Sequence, residues 1–249
     1  MKDDSLFSLP YPQWVKDFLE QGPYPCDVCR TPASVPMPGQ TCEACKLRER
    51  QSMQQAKVNA AINSIPDEPR AWSWDQPGLA DLCGGRERVA SARRAFARAV
   101  ADRLPAIVLI GAAGTGKSTL AACMLRDAIT GSAQDTSSRW VDAFDLGRAY
   151  RVTDLGDTPV VVATAKRAGV LVIDELGSED CGRDTLHEVI HHRHARRKLT
   201  IVTTPLDRDG LAAKYGEGLA RRLLERGIVL DLNPSNVIPL RRGKNAQAA

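Results

Sequence analysis

Gly111-Ala112-Ala113-Gly114-Thr115-Gly116-Lys117-Ser118-Thr119 is the stretch on which the reading of this chain turns. An apolar run, Ala106-Ile107-Val108-Leu109-Ile110, precedes it, and Leu120 to Ile129 follows with helical character. Strand, glycine loop and helix in that order, with G-x-x-x-x-G-K-S inside, make a P-loop. The glycines let the backbone curl until successive N–H groups face phosphate oxygens. The helix that begins after the loop adds the positive end of its dipole. Lys117 is placed to reach the β- and γ-phosphates, and the Ser118 hydroxyl to sit on Mg²⁺. The implied ligands are ATP and Mg²⁺, cradled by Gly111 through Thr119.

A second apolar strand, Gly169-Val170-Leu171-Val172-Ile173, ends in Asp174-Glu175. An apolar run ending in two acids is only moderately specific alone, but downstream of a P-loop it reads as a Walker B pair. Asp174 then holds Mg²⁺, directly or through water, and Glu175 orients and deprotonates the attacking water.

The other segments fit an α/β fold, a P-loop NTPase with a parallel sheet flanked by helices. Arg139-Trp140-Val141, Leu199 to Thr203 and Ile228 to Leu232 read as strands. Arg86 to Leu104, Ala143 to Tyr150, Asp184 to Lys198, Asp207 to Tyr215 and Glu217 to Arg226 read as helices. Thr158 to Arg167 has two readings: its β-branched residues favour strand, its position favours helix. The arginines of 86–104 read as a solvated face. Trp72 and Trp74 read as core residues, with an adenine-binding edge as the alternative. The 184–198 helix carries all four histidines, including His187-Glu188-x-x-His191, formally the zinc-protease pattern. That pattern is set aside, because a P-loop fold needs an ordinary covering helix here and no third ligand follows. Arg193, Arg196, Arg197 and Lys198 close the helix at its negative end, or face DNA phosphates.

Near the N-terminus, Cys26-x-x-Cys29 and Cys42-x-x-Cys45 stand twelve residues apart. Two such hooks predict a tetrahedral Cys₄ zinc site, structural rather than catalytic. Cys83, Cys123 and Cys181 are scattered and read as ordinary small residues. Tyr11, Trp14, Val15, Phe18 and Leu19 form one helical face, for packing on the cysteine module or docking on a partner protein. Lys46 to Ile65 is polar and helical, and Pro66-Asp67-Glu68-Pro69 marks a linker. The expected division is therefore 1–65, a zinc-bearing docking domain with its connecting helix, and 66–249, the nucleotide domain. A net charge of +4 permits nucleic-acid contact without arguing for it. There is no secretory signal and no run of 18 apolar residues, so a cytoplasmic location and no membrane partner are expected.

These motifs together, with Y-G-E-G-L-A-R-R-L-L-E from Tyr215 to Glu225, resemble the DnaC/IstB group of AAA+ ATPases. The likeness covers roughly residues 70–235 and is nearest to DnaC-type replicative helicase loaders. It rests also on L-V-I-D-E-L-G and on H-H-R-H-A-R-R-K-L-T-I-V-T-T. The resemblance implies that Arg222 is the arginine finger that reaches the γ-phosphate of a neighbouring subunit, with Arg221 the fallback. A finger acting in trans implies self-association into a ring or spiral. It also implies a core without a C-terminal lid, which fits the 17 residues after Leu232.

Two positions depart from the family pattern. Pro205 stands where the sensor strand carries asparagine; it has no amide to position water, which leaves Thr203 or Thr204 and argues for slow hydrolysis. Pro234-Ser235 is followed by Asn236-Val237 rather than arginine, with Arg241 or Arg242 to compensate. The expected function is an ATP-dependent loader that binds a DnaB-type ring helicase through its N-terminal domain and single-stranded DNA through its assembly. The alternatives are an IstB-like transposition helper that recruits a transposase to DNA, and a nucleotide-responsive binding module with little hydrolysis.

Overall fold

The computed structural model describes residues 12–13, 15–16, 24–31, 35, 39–131, 135–152, 157–180 and 182–233. Several sequence expectations lie outside these residues: most of the Tyr11–Leu19 face, Cys181, and the tail with Pro234 to Val237, Arg241 and Arg242. The chain divides into two compact units, Met1–Lys57 and Val58–Ala249. The division lies within helix α1 (Glu43–Ile62), eight residues before the expected one after Ile65. Ala61 and Ile65 are fully buried in the core of the second unit, which explains the earlier division. In the first unit α1 is polar, and Lys46 pairs with Glu43 at 2.8 Å.

The second unit holds a five-stranded sheet in the order β2-β3-β4-β1-β5, parallel throughout. The strands are β1 (Ala106–Ile110), β2 (Arg139–Asp142), β3 (Leu171–Asp174), β4 (Thr200–Thr204) and β5 (Ile228–Asp231). β1, β3 and β4 are buried at every residue, as strands covered on both faces must be. The side-chain period of two sends Ile107, Leu109, Val172 and Ile201 to one face and Val108, Leu171, Ile173 and Val202 to the other. The first face packs on α4 (Arg86–Ala101) and α5 (Lys117–Thr130), after the short helices α2 (Asp67–Arg70) and α3 (Leu79–Leu82). The second is covered by α6 (Ala143–Arg148), α7 (Val160–Arg167), α8 (Arg183–Ala195), α9 (Arg208–Tyr215) and α10 (Glu217–Leu224).

The segment with two readings is the helix α7. β2 and β3 are parallel neighbours, and their connection must cross a face of the sheet. Pro159 starts the helix at φ −54°, while Val162 and Ala165 turn inward and Val160 stays exposed. Its β-branched residues lose out to topology. Trp72 and Trp74 pack against the core, and Trp74 Nε1 donates to Asp127 Oδ2 at 2.6 Å.

Two expectations about arginines are corrected. Arg193 neither closes the helix in solvent nor faces DNA, because it is completely buried. Its guanidinium donates to the carbonyls of Ala165, Ala168, Gly169 and Leu199 and to Thr200 Oγ1. It thus caps the C-terminal end of α7 and fastens it to the starts of β3 and β4. Arg88, read as part of a solvated face, instead reaches across to the end of β5. It donates to the carbonyls of Leu232 at 2.8 Å and Asn233 at 3.0 Å.

Candidate functional site

Parallel pairing fixes where the chemistry collects. Ile110 is level with Thr204 and Asp231, and Asp142 with Asp174, so the glycine loop, Asp174 and Thr203 share the carboxyl edge of the sheet. Gly111 N–H donates to the Thr204 carbonyl at 3.2 Å, the last rung before the loop departs. Gly116 precedes α5 at φ 82°, and a Cβ there would stand 2.7 Å from Cys83 Sγ. Both handedness and space therefore require glycine. The first turn of α5 has no acidic residue, so its free N–H groups and dipole remain available to an anion.

Lys117 Nζ donates to the carbonyls of Gly111 at 2.8 Å and Ala112 at 2.7 Å. Burial lowers its pKa, while Asp174 and Glu175 act in the opposite sense. Ser118 Oγ donates to Asp174 Oδ1 at 2.9 Å, and Thr203 Oγ1 donates to the same oxygen. The Glu175 N–H donates to Thr203 Oγ1 at 2.9 Å. Burial raises the Asp174 pKa, and the hydrogen bonds from Thr203 and Ser118 offset part of that rise. A buried carboxylate with a hydroxyl beside it suits a divalent cation, whose charge would offset the desolvation of Asp174. Glu175 has φ 57°, a conformation sparsely used by non-glycine residues. Of the two threonines open to a sensor role, Thr203 is the one at the two acids. The Thr204 hydroxyl accepts from Leu206 N–H at 3.0 Å.

Arg222 lies on α10, where its Nη1 donates to the Gly218 carbonyl at 2.8 Å. It lines a shallow cleft with Asp184, His187, Glu188 and His191. Among the described residues no hydrogen bond or ion pair joins it to the loop or to Asp174. Arg221 is exposed and approaches Glu225 at 3.9 Å. His187 Nε2 is 2.6 Å from the Tyr215 carbonyl, so the His-Glu-x-x-His pattern has a structural occupation. Among the described residues, Cys26, Cys29, Cys42 and Cys45 form the one group of three or more His, Cys, Asp or Glu side chains close enough to share a metal ion.

Those four sulfurs lie within 4.8 Å of one another, with Cys29 Sγ and Cys42 Sγ 3.7 Å apart. Zinc bonds of about 2.3 Å to four sulfurs demand edges of roughly 3.8 Å, so the cluster fits that ion. The Cys42 N–H donates to Cys26 Sγ at 3.3 Å and brings the Cys26 thiol down to about 6. Thr31 lowers Cys29, whereas Cys29 and burial push Cys45 up to about 12. A thiolate is thus favoured at Cys26, as metal ligation requires.

The family model for IstB-like ATP binding proteins matches residues 94–229, more than half of the chain. The chain belongs to that family. The match spans the P-loop, Asp174, Glu175 and Arg222; the four-cysteine cluster precedes it. Several solved structures share the fold. A DnaC helicase loader is 24% identical over 67% of this chain and 99% of its own, with a TM-score of 0.55. DnaI is 21% identical over 67% of this chain and 94% of its own, with a TM-score of 0.54. A putative primosome component from Streptococcus pyogenes serotype M3 is 17% identical over 71% of this chain and 95% of its own, again at 0.54. No curated protein matches the chain. Family and fold agree: an IstB-like ATP binding protein with the fold seen in DnaC and DnaI.

Sequence reasoning missed the support of the loop in this family member. Ala112 N–H donates to Asn233 Oδ1 at 3.0 Å, while Asn233 is held through its carbonyl by Arg88. The partners are 121 and 145 residues apart, and no local pattern joins them. Among the described residues no helix is long and apolar enough to cross a membrane.

Proposed function

We propose that this protein is an ATP-hydrolysing helicase loader. The observation that carries the catalytic half is the meeting of Lys117, Ser118, Asp174, Glu175 and Thr203 at one edge of the sheet. ATP with Mg²⁺ would supply the labile terminal phosphoryl group. Lys117 would exchange two loop carbonyls for phosphate oxygens, a favourable trade for an ammonium group. Ser118 and Asp174 would hold Mg²⁺, and Gly111 through Thr119 would cradle the phosphates. Glu175 would take the proton of the attacking water, its backbone fixed through Thr203. Pro205 supplies no amide at this point, so turnover would be slow.

Arg222 would act in trans on a neighbouring copy. Its place on α10, with a guanidinium held only at the Gly218 carbonyl among its described hydrogen bonds, is compatible with that role. The assembly would form a ring or spiral that grips single-stranded DNA through basic side chains, with affinity falling steeply as salt rises. The N-terminal unit, with zinc on Cys26, Cys29, Cys42 and Cys45, would dock a DnaB-type ring helicase. Its position before the region matched by the family model supports a separate task for it.

Phosphate release, measured with single-stranded DNA and a ring helicase present or absent, tests the reading. DNA-stimulated turnover that Lys117→Ala abolishes is expected, with Arg222→Ala sparing ATP binding but cutting turnover. ATP binding without DNA-stimulated turnover would favour a nucleotide-responsive module instead. The family match keeps a second reading open, an ATPase that recruits a transposase to duplex DNA. Assembly on duplex and not on single strands would select it.

A further inference from the structure

Four residues beyond Glu175 stands a carboxylate that the hydrolytic reading does not use. The Glu179 side chain is fully buried. Burying a carboxylate is costly unless every lone pair is met, and here each oxygen has donors. Oε1 accepts from the Tyr215 hydroxyl and lies 3.2 Å from Lys214 Nζ. Oε2 accepts from the Gly177 N–H at 2.9 Å. The Lys214 ammonium also donates to the carbonyls of Gly177 at 2.6 Å and Glu179 at 2.5 Å. Two hydrogen bonds and one ion pair thus commit the ammonium to the loop after Walker B.

The network has two ends. At one end is the turn that sets Glu175, with φ 57° at Glu175 and φ 113° at Gly177, anchored where Leu176 N–H meets the Thr203 carbonyl. At the other end Tyr215 leads through Gly216, φ 83°, directly into α10 and Arg222. His187 Nε2 holds the Tyr215 carbonyl at 2.6 Å, and Arg183 holds the Lys214 carbonyl at 3.0 Å. His187 also lines a shallow cleft together with Arg222. Apolar side chains of similar volume could fill this site without the cost of dehydrating two charges. What they could not do is fix a loop and a helix start in one hydrogen-bonded arrangement.

We propose that Glu179, Lys214 and Tyr215 form a buried latch that moves Glu175 and α10 as one unit. They are positioning residues for two active sites, the subunit's own and that of the neighbour receiving Arg222. The inference rests on the trans role proposed above for Arg222. Through the latch, the state of one nucleotide site would reach the next site around the assembly.

Mixed assemblies of the full chain test this. Lys117→Ala subunits lack a working site but donate Arg222; Arg222→Ala subunits keep a working site but donate no finger. Their mixture should recover turnover. Tyr215→Phe, which removes one oxygen and keeps the ring, is then added to one member at a time. The latch predicts a kcat loss of roughly ten- to a hundredfold in both placements, with KM for ATP unchanged. Glu179→Gln should repeat both effects, and the thermal midpoint of each variant reports any simple loss of stability. A lowered midpoint with kcat intact in either placement overturns the latch. A reference mixture that recovers no turnover overturns the trans arginine, and with it the α10 half of this inference.

Discussion

One hydroxyl does much of the positioning at the candidate site. Thr203 donates to Asp174 and accepts from the Glu175 amide at 2.9 Å, so strand β4 sets the last residue of β3 and the acid that follows it. Thr203→Val keeps the shape and removes both bonds. Losing a hydrogen bond to the buried Asp174 carboxylate costs about 1–3 kcal/mol, and denaturant unfolding should show a loss in that range. Turnover should fall with it, since Glu175 loses its register. Asp174 poses the opposite case. Burial holds its carboxyl above the usual carboxylate range, so without a cation the folded chain carries a charge it disfavours. That penalty is fully present above the raised pKa and relaxes as pH falls through it toward the unfolded value. Asp174→Asn keeps an acceptor for Ser118 and Thr203 and removes the charge. The nucleotide-free variant should therefore melt above wild type at neutral pH, and Mg²⁺ with ATP should stabilise wild type but not the variant. A variant that melts lower without ligand would contradict this account of Asp174.

Among the elements, α8 shows how a surface reading can fail. Its last turns carry Arg193, Arg196 and Arg197, which invite a solvated or phosphate-facing reading. Arg193, however, continues the stripe Leu186, Val189, Ile190 at i, i+3, i+4 and i+7, all four of them buried. The periodicity was present in the sequence; the residue type masked it. Arg193→Met would remove five donated bonds, to four carbonyls and a hydroxyl, of which the Leu199 carbonyl keeps the Leu171 N–H. A loss of about 3 kcal/mol or more is expected, which for a chain of this size lowers the thermal midpoint by roughly 6–12 °C. Calorimetry checks it, and a midpoint within a degree of wild type would show that the fastening is dispensable. Lysine cannot replace this fork of donors. Lys198 adds to the same end of α7 by donating to the Arg167 carbonyl at 2.6 Å.

At the scale of the molecule, the two compact units hold different candidate sites. The cysteine cluster is in the first, and every residue of the phosphate loop is in the second. A four-sulfur site loses its closed tetrahedron when one thiolate goes. Cys42→Ser should therefore lose zinc by elemental analysis and helicase capture with it. ATP affinity, a property of the second unit, should stay within about twofold of wild type, inside the accuracy of a binding free energy. Unchanged zinc content would refute the four-cysteine site.

Sequence by itself determined the features written in adjacent residues. The P-loop, the acid pair at the end of β3, the alternating strands and the two cysteine hooks all follow from spacing along the chain. Strand ends were within two residues and helix ends within about three, and the parallel sheet followed from strands separated by helices. Tertiary structure alone decided α7 against its own β-branched composition. It also decided the bonds of Thr203 to Asp174, Arg193 to Ala165, Arg88 to Leu232 and Glu179 to Tyr215. Those partners are 29, 28, 144 and 36 residues apart. Thr203 and Asp174 meet through strand register, where a slip of one residue would turn both side chains to the opposite face; the other pairs meet because helices and loops pack on or beside the sheet. A motif can name the groups that touch a phosphate, but which groups hold those in place is settled by packing across the sheet.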